Sequence, residues 1–242
     1  QPPFYREFRN YQGQLNLDLL AQSSIHFIAG IDHNLKIWNR PFNLSSEFYY
    51  KHLYNVVPYD IDNVRVRYLA ENSATAYATG IDFRLSGEFV PGTQSWFSLS
   101  FLSTREDVEG DGQGYIRRPS DQNINLGVYF EDYLPNDPTT RMNLSLFVGS
   151  GLPFGPPNDL RNRSAFNGEI YRRVDLGLSK LIKLEKLLGK NGNLWLGAEI
   201  LNLLGTDNVI SFTWVKDFNN LQYAVPNSLS ARFLSIRTMV NF

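Results

Sequence analysis

Along most of this chain, side chains alternate between apolar and polar at every second position, and that period of two constrains the fold more than any other feature. A helix repeats every 3.6 residues, whereas a period of two sends successive side chains to opposite faces of a pleated strand. The pattern is cleanest in residues 232–242, RFLSIRTMVNF. Counting back from Phe242, Val240, Thr238, Ile236 and Leu234 form a mostly apolar face, opposed by Asn241, Met239, Arg237, Ser235 and Phe233. A strand of about ten residues is the length that crosses a membrane at the tilt of a β-barrel. The segment reads as the closing strand of such a barrel.

The same alternation recurs upstream. Ile81, Phe83, Leu85 and Phe89 alternate with Asp82, Arg84, Ser86 and Glu88; Phe97, Leu99 and Phe101 alternate with Ser98 and Ser100. Ile124–Phe130 and Met142–Val148 repeat the pattern, as do Val174–Leu178 and Leu194–Ile200. Less regular strands are expected near 24–32, 44–55, 63–70 and 208–216, for roughly ten strands in all. The expected fold is an all-β, antiparallel transmembrane barrel.

Composition narrows the alternatives. The formal net charge is -1, which removes the electrostatic case for nucleic acid. Hydrophobic residues make up 43% and the mean hydropathy is -0.29, values that suit a soluble protein and a barrel with a polar interior alike. No stretch approaches the roughly 18 apolar residues a spanning helix needs. Cysteine is absent, and with it disulfides, thiolate nucleophiles and zinc-thiolate sites. The opening QPPFYREF lacks the basic start and apolar stretch of a signal peptide, so the expectation is a mature chain or a piece of a longer one.

Connection lengths separate a barrel from a sandwich. VPGT (90–93) and PNDPT (135–139) are short and turn-like, while 105–120 and 150–169 are long. Alternating short turns and long loops match the two ends of an outer-membrane barrel. Tyr49, Tyr50, Tyr54, Tyr59, Phe130, Tyr133 and Tyr171 fall near strand ends, as interfacial girdles do. LIKLEKLLGKNGN (181–193) breaks the period and is expected to hold a short helical turn before Gly189 and a KNGN hairpin on the short-turn side.

Six segments then carry a family resemblance: QPPFYRE (1–7), SSIHFIAGID (23–32), EFYYKHL (47–53), AYATGIDFRL (76–85), RRVDLGLSK (172–180) and AEILNLLG (198–205). Their order, with the Phe-terminated last strand, resembles the C-terminal half of the barrel of TonB-dependent receptors of the Bacteroidetes type, over essentially the whole chain. The resemblance implies an outer-membrane transporter with a barrel of about 22 strands, plugged by an N-terminal domain and powered through TonB. Its substrates would be iron chelates, cobalamin, glycans or peptides. Plug, TonB-contacting box and first barrel half are not seen in this sequence, so transport would belong to a parent receptor of which residues 1–242 supply wall and outer loops. The implied partners are outer-membrane lipid, the plug and N-terminal barrel half, the TonB complex through the plug, and the barrel-assembly machinery, which would read Phe242. No cofactor and no enzymatic activity are expected.

The chemistry-bearing residues fit that picture. His26, His33 and His52 sit in no metal-ligand spacing and beside no nucleophile elbow, so they read as wall residues. Asp107, Glu109 and Asp111, with Gly112, match the first positions of a calcium loop, but position 12 is Arg118 where a bidentate Glu belongs, leaving a weak metal candidate. Arg117 and Arg118 in one long loop, with Arg161 and Arg163 in the next, are candidates for a basic rim attracting an anionic ligand. Asp82, Arg84, Glu88, Arg173, Asp175 and Glu199 are the lumen-facing candidates, with pairing across neighbouring strands as the simpler account of their charge. A self-closed barrel of ten to twelve strands, acting as a pore or membrane enzyme, and a soluble β-sandwich binding module are the competing readings.

Overall fold

The computed structural model describes residues 2–62, 65–157, 159, 161–184, 192–229 and 231–241. Phe242 and most of the 181–193 segment, with its expected helical turn and hairpin, lie outside the described residues. Among the described residues every regular element is a strand, and no helix is long and apolar enough to cross a membrane.

Nine strands run as one antiparallel meander: β1 (Ser23–Ile37), β2 (Arg40–Val56), β5 (Ala74–Gly87), β6 (Ser95–Val108), β8 (Ile124–Leu134), β9 (Asp137–Gly149), β12 (Tyr171–Lys183), β13 (Asn193–Leu201) and β16 (Phe233–Asn241). The short β7 (Ile116–Arg117) adds to β6 and completes a ten-stranded sheet, with β1 and β16 at the two ends of its order. The remaining strands form three separate hairpins: β3 (Tyr59–Asp62) with β4 (Arg65–Tyr68), β10 (Pro153–Phe154) with β11 (Phe166–Asn167), and β14 (Val209–Lys216) with β15 (Gln222–Ser228).

The connections alternate strictly. On the short rim, Trp38 and Asn39 join β1 to β2 with φ of 53° and 59°, the left-handed pair a primed two-residue turn needs. Pro135 and Asn136 join β8 to β9, with Asn136 at φ 64° supplying the positive φ that follows a turn proline. The opposite, long rim carries all three separate hairpins, and there residues 2–22 dock against the β3–β4 hairpin.

Three expectations shift. The segments near 63–70 and 208–216 are strands, but each belongs to a rim hairpin instead of the wall. The loop placed at 105–120 begins later, because β6 stays paired with β5 out to Ala74↔Val108. Strand hydrogen bonds thus hold Arg105, Glu106 and Asp107 where a loop was expected.

Register aligns the alternating side chains into two continuous faces. Leu126, Leu146, Val174 and Leu176 belong to one face; Tyr129, Ser145 and Asp175 belong to the other. Much of the apolar face is open: Phe27, Ile31 and Ile236 are 63%, 68% and 77% exposed. The tight apolar core is small, Val56, Ala74, Ala76 and Val108 under the long rim. A water-soluble monomer does not leave so wide an apolar surface bare. Among the described residues no second large sheet packs on it, the arrangement a soluble sandwich would need.

Candidate functional site

On the polar face, register brings five of the six lumen-facing candidates onto one surface: Asp82, Arg84, Arg173, Asp175 and Glu199, through the pairs Arg84↔Ser98, Ser98↔Gly127, Gly127↔Phe147, Phe147↔Arg173 and Gly177↔Glu199. Glu88 lies just past β5, at the short rim, with its backbone N–H donated to Pro41. Each charge has its own arrangement. Ser100 Oγ donates to Asp82. The Arg84 guanidinium lies over the Trp96 ring at 5.4 Å. Arg173 Nε donates to Asp175 Oδ1 at 2.7 Å, and the same oxygen accepts the Asn202 backbone N–H. On this face Arg141 pairs across strands with Glu131 at 3.3 Å, and near the short rim Lys180 of β12 pairs with Asp137 of β9.

Towards β16 the polar face sinks into a hollow of about 470 Å³, lined by Tyr129, Ser145, Trp195, Glu199 and Arg237 among others. Gly177 helps to clear it: a Cβ there would stand 2.6 Å from Asn143 Oδ1. Substitution would push the amide out into the space.

The arginines of the long loops do not form a basic rim. Arg118 and Arg163 both converge on Glu106, at 3.1 Å each, and Arg163 also reaches Asp111 at 3.5 Å. Arg117 pairs with Asp121 at 2.6 Å and also donates to Asn167 on β11. Glu106, Asp121 and Arg163 are buried, so these are internal struts instead of a charged surface. Three of the four guanidiniums are thus committed to carboxylates of the fold and are not presented to an incoming anion. Only Arg161 of the proposed set stays exposed. The same network disposes of the calcium loop: Asp107 is in β6, Glu109 is exposed, and Asp111 turns to Arg163. No group of metal-ligating side chains gathers among the described residues.

A second device joins the loops. Phe154 of β10 stacks on Phe212 of β14 at 3.7 Å and 18°, with Phe166 of β11 and Trp214 of β14 around it. Close backbone approach lets the β10–β11 hairpin form, because a Cβ on Gly151 would stand 1.8 Å from the Gly168 carbonyl oxygen. The β3–β4 hairpin is tied in beside it. Asp60 is buried and accepts a 2.8 Å hydrogen bond from Tyr11, while Arg118 lies over the Tyr59 ring at 5.6 Å. Burial pushes the Asp60 carboxyl above the usual aspartate range, and the Tyr11 hydroxyl is pushed far up, first by burial and then by Asp60.

The sequence reading missed Glu106, Asp60, Asp121 and the aromatic stack. Glu106 had a visible signal, since the alternation Thr104, Glu106, Val108 continues that of Ser98 to Leu102. The histidines remain wall residues. Ser24 Oγ and His26 Nε2 are 2.9 Å apart, but both are exposed on one strand, and His52 packs edge-on against Tyr54 at 4.5 Å.

No family model and no curated protein matches this chain. Solved structures do. The ferric yersiniabactin uptake receptor FyuA from Yersinia pestis matches over 91% of this chain at a TM-score of 0.61 and 13% identity. The ferric-catecholate import receptor Fiu from Escherichia coli K12 matches over 93% at 0.57 and 16%. FpvA from Pseudomonas aeruginosa, solved with iron and a heterologous pyoverdine, matches over 99% at 0.61 and 17%. The chain spans 30%, 28% and 29% of their respective lengths. At such identities the likeness establishes the fold: an antiparallel wall of the kind found in outer-membrane receptor barrels.

Proposed function

We propose that this chain is part of a TonB-dependent outer-membrane receptor of the Bacteroidetes type, forming the C-terminal portion of a barrel of about 22 strands. The apolar face meets lipid, the polar face meets the lumen and the plug, and the long rim faces outward and takes part in capturing a large nutrient. The partners follow from that placement: outer-membrane lipid, the plug and N-terminal barrel half, the TonB complex and the barrel-assembly machinery. The chain carries out no catalysis. The observation that carries the reading is the coincidence of a bare apolar face with a strict division into a short-turn rim and a rim of interlocked long loops, in a chain that fits 28–30% of three receptors. An iron chelate, cobalamin, a glycan and a peptide are the candidate substrates. Two of the similar proteins are named for ferric-chelate import and the third holds an iron complex, so a ferric chelate is the first to test.

The test is made on outer membranes of the source cell, solubilised in mild detergent. A polypeptide or tight complex much heavier than 27.7 kDa that contains this chain, with ferric-chelate or other nutrient uptake lost both on its deletion and on inactivation of TonB, is the expected result. A lone 27.7 kDa species that stays compact on unheated gels would instead mean a self-closed small barrel and would end the transport reading.

A further inference from the structure

With Arg117, Arg118 and Arg163 spent on internal carboxylates and Arg161 standing apart, a group of uncommitted cations on the long rim lies at the N-terminal segment. Residues 5–15 and β4 enclose an open hollow of about 410 Å³ whose lining includes Arg6, Arg9, Arg67, Tyr5, Tyr11 and Tyr68 and no carboxylate. Arg6 and Arg9 are exposed and make no ion pair among the described residues. They are held three residues apart by a turn in which the Arg9 backbone N–H donates to the Arg6 carbonyl. Arg6 Nε donates to Tyr5 Oη at 3.0 Å, which leaves its terminal nitrogens free to bind.

The nearby acids are engaged. Glu7 accepts from the Phe4 backbone N–H and from Gln22, Asp60 accepts from Tyr11, and Asp62 pairs with Arg67 at 2.7 Å. Tyr68 is held in its neutral, donating form, since burial first and the Glu7 charge second push its hydroxyl up.

We propose that this hollow binds a phosphomonoester carried on a sugar. The terminal nitrogens of Arg6, the guanidinium of Arg9 and that of Arg67, shared with Asp62, offer more N–H donors than one carboxylate can accept, and suit the three terminal oxygens and double charge of a phosphate dianion. Tyr5, 66% exposed although Arg6 lies over its ring at 5.6 Å and Phe4 packs against it at 4.4 Å, offers the rest of its aromatic surface to the sugar. Both a soluble sugar phosphate and the phosphorylated headgroup of an outer-leaflet glycolipid carry this chemistry. The site itself needs only the fold, its lipid source rests on the outer-membrane placement proposed above, and neither depends on transport.

The experiment uses the protein extracted from its membrane in mild detergent, as wild type, as Arg6→Ala/Arg9→Ala, and as Lys36→Ala/Lys183→Ala on the short rim. Glucose 6-phosphate, with glucose as the neutral control, is titrated by calorimetry, and the phosphorus of co-purifying glycolipid is measured in each preparation. Loss of two charge-assisted contacts predicts at least about a tenfold fall in glucose 6-phosphate affinity in the arginine variant alone. That result assigns a soluble ligand. A drop in bound glycolipid phosphorus confined to the same variant assigns the lipid source. If the arginine variant matches wild type in both measurements, or if the lysine variant loses as much, the site is refuted. Growth and uptake do not enter either readout, so failure here leaves the receptor reading untouched.

Discussion

Glu106 Oε1 lies 3.1 Å from Arg163 Nη1, and both side chains are shielded almost completely from solvent. Arg118 approaches the other carboxylate oxygen, so one acid at the end of β6 holds the loops on either side of β8–β9. Replacing it by Gln takes the ion pair from Arg118 and leaves the buried Arg163 with Asp111 alone, and breaking a buried pair in this way costs up to about 3–5 kcal/mol. The expected outcome of Glu106→Gln is rapid proteolytic cleavage within 109–123 and 150–170, with the sheet still assembled. The double variant Glu106→Leu/Arg118→Met, which removes one acid with one arginine and leaves Arg163 its Asp111 partner, should regain part of that resistance. Equal cleavage of wild type and Glu106→Gln would show that the network does not hold the loops.

Gly151 has no room for a side chain, given the 1.8 Å separation between its would-be Cβ and the Gly168 oxygen. Gly151→Ala forces β10 away from β11 and carries Phe154 off Phe212. Hydrogen exchange should speed up in 151–155, 166–168 and 209–216 while 142–148 stays protected. Unchanged exchange in 209–216 would mean the aromatic stack does not couple the two hairpins.

How much of this was legible in the sequence divides at the rim. The wall was legible because a side-chain period of two is local: Asp82 and Arg84, or Leu144 and Leu146, announce their faces without knowledge of any partner. The cap was not, because its contacts are long-range. Phe154 meets Phe212, and Asp60 meets Tyr11, through approaches no local pattern encodes. The four loop arginines show the same limit from the other side. Their number and placement suggested a basic rim, but charge in a loop carries no sign of whether a buried acid such as Glu106 waits for it. Even β15 was hidden, since Pro226 within QYAVPNS argues against a strand; a two-stranded hairpin tolerates it because both its strands are edges.

Asp60 makes the docking of the N-terminal segment sensitive to pH. Burial raises its carboxyl above the ordinary value, only partly offset by the Tyr11 hydrogen bond and the Arg163 charge, with Asp62 adding to the rise. Protonation therefore favours the docked state. Its contribution is fully present below the ordinary aspartate value of about 3.9 and is lost as pH rises through the higher folded value. After correction for intrinsic rates, amide protection of residues 8–16 should be greater at mildly acid pH than at neutral pH. Asp60→Asn should hold it constant across that range. Protection that increases with pH in the wild type would reverse the sign and refute the assignment.

Leu146 and Ser145 are neighbours in β9 that face opposite ways, Leu146 beside Val128 and Val174, Ser145 beside Tyr129 and Asp175. If the apolar face meets lipid, the same arginine has opposite consequences one residue apart. At Leu146 a guanidinium enters the hydrocarbon, at a cost of about 2–4 kcal/mol near mid-depth. At Ser145 it enters the polar hollow, where Asp175 and Glu199 are near enough in register to receive it. The expected result is that Leu146→Arg depletes the assembled form in outer-membrane fractions, whereas Ser145→Arg assembles close to wild-type level. Equal tolerance of both would mean that the apolar face is not the lipid face. Depletion by Ser145→Arg alone would place lipid on the polar side and invert the barrel wall.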